Sequence, residues 1–171
     1  MRRNSPAAGS EGGRRIIGID PGLASTGWGV LDCAGGRIRH VGYGSIETKA
    51  RRPMAERLLH IMESLRAVLD THRPTEAAVE ILYFGKNVSS AIPVAEARGV
   101  VFATLAERGL SVSEFRPNAI KQGVTGVSSA DKRQVQEMVR IILGLAEVPT
   151  PDHAADALGV AICAANHPMN L

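Results

Sequence analysis

Apolar and polar positions change period several times along the chain, and each change marks an element. Residues 15–20 (RIIGID) and 26–32 (TGWGVLD) carry β-branched and aromatic bulk in short runs and read as strands. Residues 37–48 (RIRHVGYGSIET) set Ile38, Val41 and Tyr43 among polar and glycine positions, which predicts a third strand and a meander. From Pro53 to His72 the period becomes helical: Leu58, Ile61, Met62, Leu65, Val68 and Leu69 share one face, with charges opposite. A short strand follows at 75–80 (TEAAVE), then a helix over 89–109 with an expected N-cap at Ser89 or Ser90, which puts Pro93 in the first turn. That helix is apolar on nearly every face except at Glu96, Arg98 and Thr104, so it needs two surfaces to pack on: the sheet and a second subunit. A strand at 110–115 and a helix at 130–143, with Val135, Met138, Val139 and Ile142 inward and Ser128 or Ser129 as cap, come next. The last helix opens at Thr150 as N-cap with Pro151 as its first residue. The order β-β-β-α-β-α-β-α-α predicts an α/β domain with a mixed sheet.

Length and composition narrow the classes. At 171 residues with 44% hydrophobic and 22% charged positions, the chain suits one globular domain over 14–171. Residues 1–13 are small and polar, as in a disordered tail or an expression remnant, and have no apolar core of a signal peptide. No apolar run approaches the roughly 20 residues that span a bilayer. Cys33 and Cys163 fit no metal or redox spacing and suit a reducing cytoplasm. The net charge of +3 points only weakly to a polyanion, because Arg2, Arg3 and Glu11 of the tail already supply one unit. More informative is where the four lysines fall: Lys49, Lys86, Lys121 and Lys132.

The chemistry begins with Asp20, a carboxylate at the tip of a β-branched strand with Pro21-Gly22 directly behind it. Such a group is costly without a partner. Glu80 ends another strand in the same way, and Asp152, His153 and Asp156 open the last helix. His153 and Asp156 lie three apart and Asp152 and Asp156 four apart, so each pair shares a helix face. Two carboxylates about 4 Å apart repel by about 1 kcal/mol in water and about 4 kcal/mol at an effective dielectric of 20. Three or four gathered together call for divalent cations, held by oxygen ligands and able to activate water at a phosphodiester. Each residue also has a plainer reading: Asp20 as a turn cap, Glu80 as a solvated strand end, Asp152 as a partner of the helix dipole and His153 as a surface side chain.

The order and spacing of GIDPGLASTGWGV, AVEILYFGKN, AEARGV, IKQGVTGVSSADKRQVQEMV and HAADALGVAI resemble the RuvC-type Holliday junction resolvases, from about Arg15 to Asn166. The resemblance implies an RNase H-like fold: a five-stranded mixed sheet flanked by helices, in a homodimer. It implies metal-binding and catalytic roles for Asp20, Glu80, His153 and Asp156, two Mg²⁺ or Mn²⁺ ions per site, and paired symmetric nicks in four-way DNA during recombination and repair, with some sequence preference. Many members carry aspartate at the position of His153. Imidazole suits Mn²⁺ better than Mg²⁺, so Mn²⁺ should serve at least as well, and Asp152 is the neighbour that could substitute. DNA contacts fall to Tyr83, as a ring on which opened bases stack with Phe84 turned inward, and to Lys86, Lys121 and Lys132. The RuvA and RuvB branch-migration proteins are the implied partners. Two rivals share part of the pattern. Actin-like ATPases open with a similar carboxylate and glycine-spaced strand but bind nucleotide between two such domains. A junction-binding protein with a decayed site would keep the fold and lose the cutting.

Overall fold

The computed structural model describes residues 13–82 and 88–167, with the side chains of 88–90 excepted. Three strands open the chain: β1 (Arg14–Asp20), β2 (Ser25–Ala34) and β3 (Arg37–Glu47). Helix α1 (Met54–His72) leads to β4 (Glu76–Glu80), and α2 (Val88–Glu107) leads to β5 (Ser111–Phe115). Three helices finish it: α3 (Pro117–Thr125), α4 (Lys132–Leu143) and α5 (Asp152–Asn166). The sheet runs β3-β2-β1-β4-β5, antiparallel across β3, β2 and β1 and parallel across β1, β4 and β5. This is the mixed, five-stranded arrangement expected from the sequence.

Strand alternation divides the core. Ile16 points to one face, where it packs with Leu31, Ala78, Leu158, Ile162 and the inward residues of α3 and α4. Ile17 and Ile19 point to the other, with Val30, Val79, Ile61 and Leu65 of α1, and Ala97, Val101 and Leu105 of α2. Helix α5 lies closest to the sheet because glycine lets it. A Cβ on Gly18 of β1 would fall 2.2 Å from the carbonyl oxygen of Ala157 and 2.6 Å from the nitrogen of Ala161. The ten buried residues of α5, from Ala154 to Ala164, are mostly small for the same reason.

Several boundaries differ from the expected ones. Helix α3 was not foreseen. It has nine residues, about two and a half turns, opens with Pro117 and ends on Gly126 at φ 78°. The cap of α4 is Asp131, not Ser128 or Ser129. Its carboxylate accepts the Gln134 N–H at 2.8 Å while the Gln134 side chain accepts the Asp131 N–H at 2.9 Å, a reciprocal capping box that a serine further upstream cannot make. Helix α2 starts at Val88, ahead of the serines, and Pro93 therefore lies in its second turn; proline there removes one bond near an end already short of partners. Pro151, in a cis peptide with Thr150, is the N-cap of α5 and not its first residue. Its ψ of 171° is extended, and its carbonyl accepts the N–H groups of Ala154 and Ala155. Apart from Gly13, the tail lies outside the described residues.

Candidate active site

The register of the central strands sets the site. Parallel pairing of Ile19 with Val79 brings the carboxyl ends of β1 and β4 level, so Asp20 and Glu80 emerge side by side. On the other side of β1, Asp20 pairs with Gly27 of β2. A Cβ on Gly27 would stand 1.9 Å from the carbonyl oxygen of His153, so the missing side chain seats the first turn of α5 against the strand tips. His153 then reaches Asp20, with Nδ1 2.8 Å from Oδ2. One ligand atom each from Asp20, His153 and Asp156 lie within 4.8 Å of one another.

Burial and mutual repulsion mark these groups. Burial, with Asp20 and Asp156 nearby, pushes the Glu80 carboxyl up to about 7, against the pull of Lys132. Burial also raises Asp156, although the Lys132 ammonium opposes it. The hydrogen bond to Asp20 raises the His153 pKa, against the opposing effect of desolvation. Lys132 stands 3.1 Å from Asp156 and 3.2 Å from Asp152. Desolvation works against its charge, but the two carboxylates outweigh it and raise its pKa. Asp152 is exposed and turned to Lys132, outside the Asp20–His153–Asp156 group.

Clefts flank Glu80. One is lined by Glu80, Asp156, Lys121, Lys132 and Pro117, so both expected phosphate-contacting lysines border the carboxylates. Another is lined by Asp20, Pro21, Glu80, Leu82, Val94 and Arg98. Tyr83, Phe84 and Lys86 lie outside the described residues.

The structure adds residues that the sequence did not single out. The Arg98 guanidinium donates to the Glu80 carbonyl at 2.5 Å, pairs with Glu114 and lies over the Phe102 ring, 4.6 Å from its centroid. Thr26, fully buried, donates to the Gly22 carbonyl at 2.7 Å and so braces the turn behind Asp20. The Glu47 carboxylate accepts from Ser45 Oγ at 2.6 Å and Ser25 Oγ at 2.7 Å. Those hydroxyls and the His153 charge hold it below the ordinary carboxylate range. The only sequence signal for Glu47 was its place at the end of a strand antiparallel to the one beside Asp20.

Two carboxylate oxygens and an imidazole nitrogen within reach of one point, with the Glu80 carboxyl beside them, fit a divalent cation. Oxygen donors of this kind suit hard divalent cations.

A mixed sheet that gathers carboxylates from two strand tips and a closing helix defines an RNase H-like fold with a cation-type site. Residues 16–164 match the family of the crossover junction endodeoxyribonuclease RuvC. The chain is 54% identical over 149 residues to that enzyme from Chloroflexus aggregans, across 87% of this chain and 91% of the relative. It is 52% identical over 147 residues to that from Treponema pallidum, across 86% and 75%. Thermus thermophilus RuvC in complex with a Holliday junction substrate superposes with a TM-score of 0.83 at 36% identity, over 88% of this chain and 92% of that one. A yeast mitochondrial Holliday junction resolvase shares the fold at 13% identity, with a TM-score of 0.61 over 90% and 79%. The chain belongs to the RuvC family of crossover junction endodeoxyribonucleases. That membership sets aside the actin-like ATPase reading.

Proposed function

We propose that this protein resolves four-way DNA junctions in recombination and repair by nicking two opposing strands symmetrically. The observation that carries the reading is the convergence of Asp20, His153 and Asp156 beside Glu80. Asp20 and Asp156 hold divalent cations, His153 completes a site, and Glu80 binds on the β4 side and orients the attacking water. Two bound Mg²⁺ or Mn²⁺ ions supply the Lewis acidity that activates water and stabilises the leaving oxygen. Lys121 offsets phosphate charge from the adjoining cleft. Lys132 does the same after exchanging its carboxylate partners for a phosphate oxygen.

Phosphates are the same on every duplex, so junction selectivity comes from shape and from two sites held at a fixed distance. A homodimer supplies that, and α2 is the element to form it: Ile92 is 57% exposed on a helix whose opposite side packs in the core. Tyr83 stacks on opened bases and Lys86 holds a phosphate in this reading. RuvA and RuvB are the partners that deliver the junction, in the cytoplasm; among the described residues no helix is long and apolar enough to cross a membrane. Residues 14–171 act as one nuclease domain, with some sequence preference at the cut.

The test is incubation with an end-labelled synthetic junction and Mg²⁺ or Mn²⁺, beside a linear duplex. Paired nicks that ligase seals, in the junction alone, support the reading. Tight junction binding without cutting in either metal would leave a junction-binding protein instead.

A further inference from the structure

Of the four lysines, Lys49 alone has no place in the site or in the motifs. It lies between β3 and α1, in the run Lys49-Ala50-Arg51-Arg52, where the Arg52 N–H bonds the Lys49 carbonyl at 3.0 Å to close a turn. That turn is anchored to the loop behind Asp20. The Thr48 N–H bonds the Ala24 carbonyl at 2.9 Å, Thr48 Oγ1 donates to the Leu23 carbonyl, and Arg57 Nε donates to Thr48 Oγ1 at 2.8 Å. Lys49, Arg51 and Arg52 are all exposed. Glu47, Lys49, Arg52, Glu56, Arg57 and His60 line one hollow.

The balance of the patch is basic: Lys49, Arg51, Arg52 and Arg57 outnumber Glu47 and Glu56, and Glu56 pairs with Arg52 at 3.0 Å. Because β3 runs antiparallel to β2, which runs antiparallel to β1, the end of β3 stands at the same end of the sheet as Asp20 and Glu80. The turn begins directly beyond Glu47, two residues past Ser45, which pairs with the Gly27 that faces Asp20. The patch therefore adjoins the catalytic group on the α1 side of the sheet, while Lys121 and Lys132 adjoin it on the α5 side.

We propose that the Lys49–Arg52 turn and the start of α1 form a second phosphate-binding surface, which holds the duplex arm leading away from the cleaved phosphodiester. The proposal rests on the resolvase reading. A duplex carries a phosphate every few ångströms along each strand, so a strand seated at Asp20 must extend past the site, and a rigid turn tied to the Asp20 loop is placed to meet it. Its task is register: phosphate contacts position the DNA without reading its bases.

The experiment measures binding of the full chain to a fluorescent four-way junction in metal-free buffer across a salt series, for wild type, K49Q/R51Q and the control R37Q/R73Q. Arg37 and Arg73 are exposed at the opposite end of the sheet, where they line a different cleft. Expected for K49Q/R51Q is affinity lower by about tenfold at 0.1 M salt and a log–log salt slope shallower by about 2, with an unchanged melting temperature. The control should match wild type. Junction binding by wild type, with K49Q/R51Q unchanged in affinity and slope, would overturn this surface alone. An equal loss in R37Q/R73Q would also overturn it, as a general charge effect. Wild type that binds no junction would overturn the resolvase reading and this proposal with it.

Discussion

The two ends of β1 use the same kinds of residue to opposite effect. At its start, Arg14 forms a two-pronged pair with Glu76 of β4, at 2.7 Å for each bond, and Arg15 does the same with Asp32 of β2, at 2.6 and 3.0 Å. At its finish, Asp20 stands between the same two strands with Glu80 on one side and a glycine on the other. The hydrogen bond from Arg15, with Arg39 assisting, holds Asp32 below the usual carboxylate range. Burial and neighbouring carboxylates push Glu80 above it, to about 7. An acid whose partner is covalently part of the chain is settled when the protein folds. Glu80 stands instead among the carboxylates of Asp20 and Asp156, whose charge Lys132 offsets only in part. The difference separates a structural ion pair from a binding site more sharply than any count of charged residues.

Five substitutions test this contrast. Asp20→Asn removes the carboxylate that touches His153 and sits beside Glu80. Cleavage should fall by at least about a thousandfold in a single-turnover assay while junction binding persists. Gly27→Ala forces a methyl group into the His153 carbonyl. Displacing the first turn of α5 by about an ångström should cost on the order of a hundredfold in rate, with about 1–3 kcal/mol of stability lost in denaturant melts. His153→Asp replaces nitrogen by oxygen, and the ratio of Mg²⁺ to Mn²⁺ activity should rise several-fold in parallel metal titrations.

Glu80 tests the open end by pH. Its folded-state pKa of about 7 lies above the ordinary 4.5, so between those values the metal-free folded state binds more protons than the unfolded one. Stability contributed through Glu80 is present at pH 4.5 and falls as pH rises toward 7. Glu80→Gln should remove that decline and stabilise the metal-free protein at pH 8 by on the order of 1–3 kcal/mol, read from urea melts at both pH values. The closed end gives the smallest effect. Arg15→Met should lower stability by about 1 kcal/mol, because the pair is partly exposed and Arg39 still faces Asp32, and cleavage per folded molecule should not change.

How much of this was legible in the sequence depends on what kind of signal each part leaves. Helices α1 and α4 rest on a helical period sustained over three turns or more, α5 on its start signal, and the strands on short β-branched or apolar runs bounded by turn residues. Helix α3 has nine residues between Phe115 and Gly126, too few for the period to declare itself. The cap of α4 depended on which residue closed the capping box, and that of α5 fell on Pro151 without any side-chain cap, choices made by geometry. Asp20, Glu80, His153 and Asp156 were visible as carboxylates and an imidazole at element ends, and the fold brings them together. The partners of Lys132 were not, since it reaches Asp152 and Asp156 from a different helix. Gly27 was noted only as a glycine in a strand. Its role under His153 is a tertiary contact about 126 positions away along the chain, and no local pattern encodes it.

The central claim is that the open end of β1 is completed by a divalent cation. The direct measurement is a crystal of the protein grown with Mn²⁺ and recorded at a wavelength where manganese scatters anomalously. The account predicts an anomalous peak enclosed by Asp20, His153 and Asp156 in wild type and its loss in Asp20→Asn. Manganese elsewhere, or a site where Lys132 keeps Asp156 and no peak appears, would contradict it.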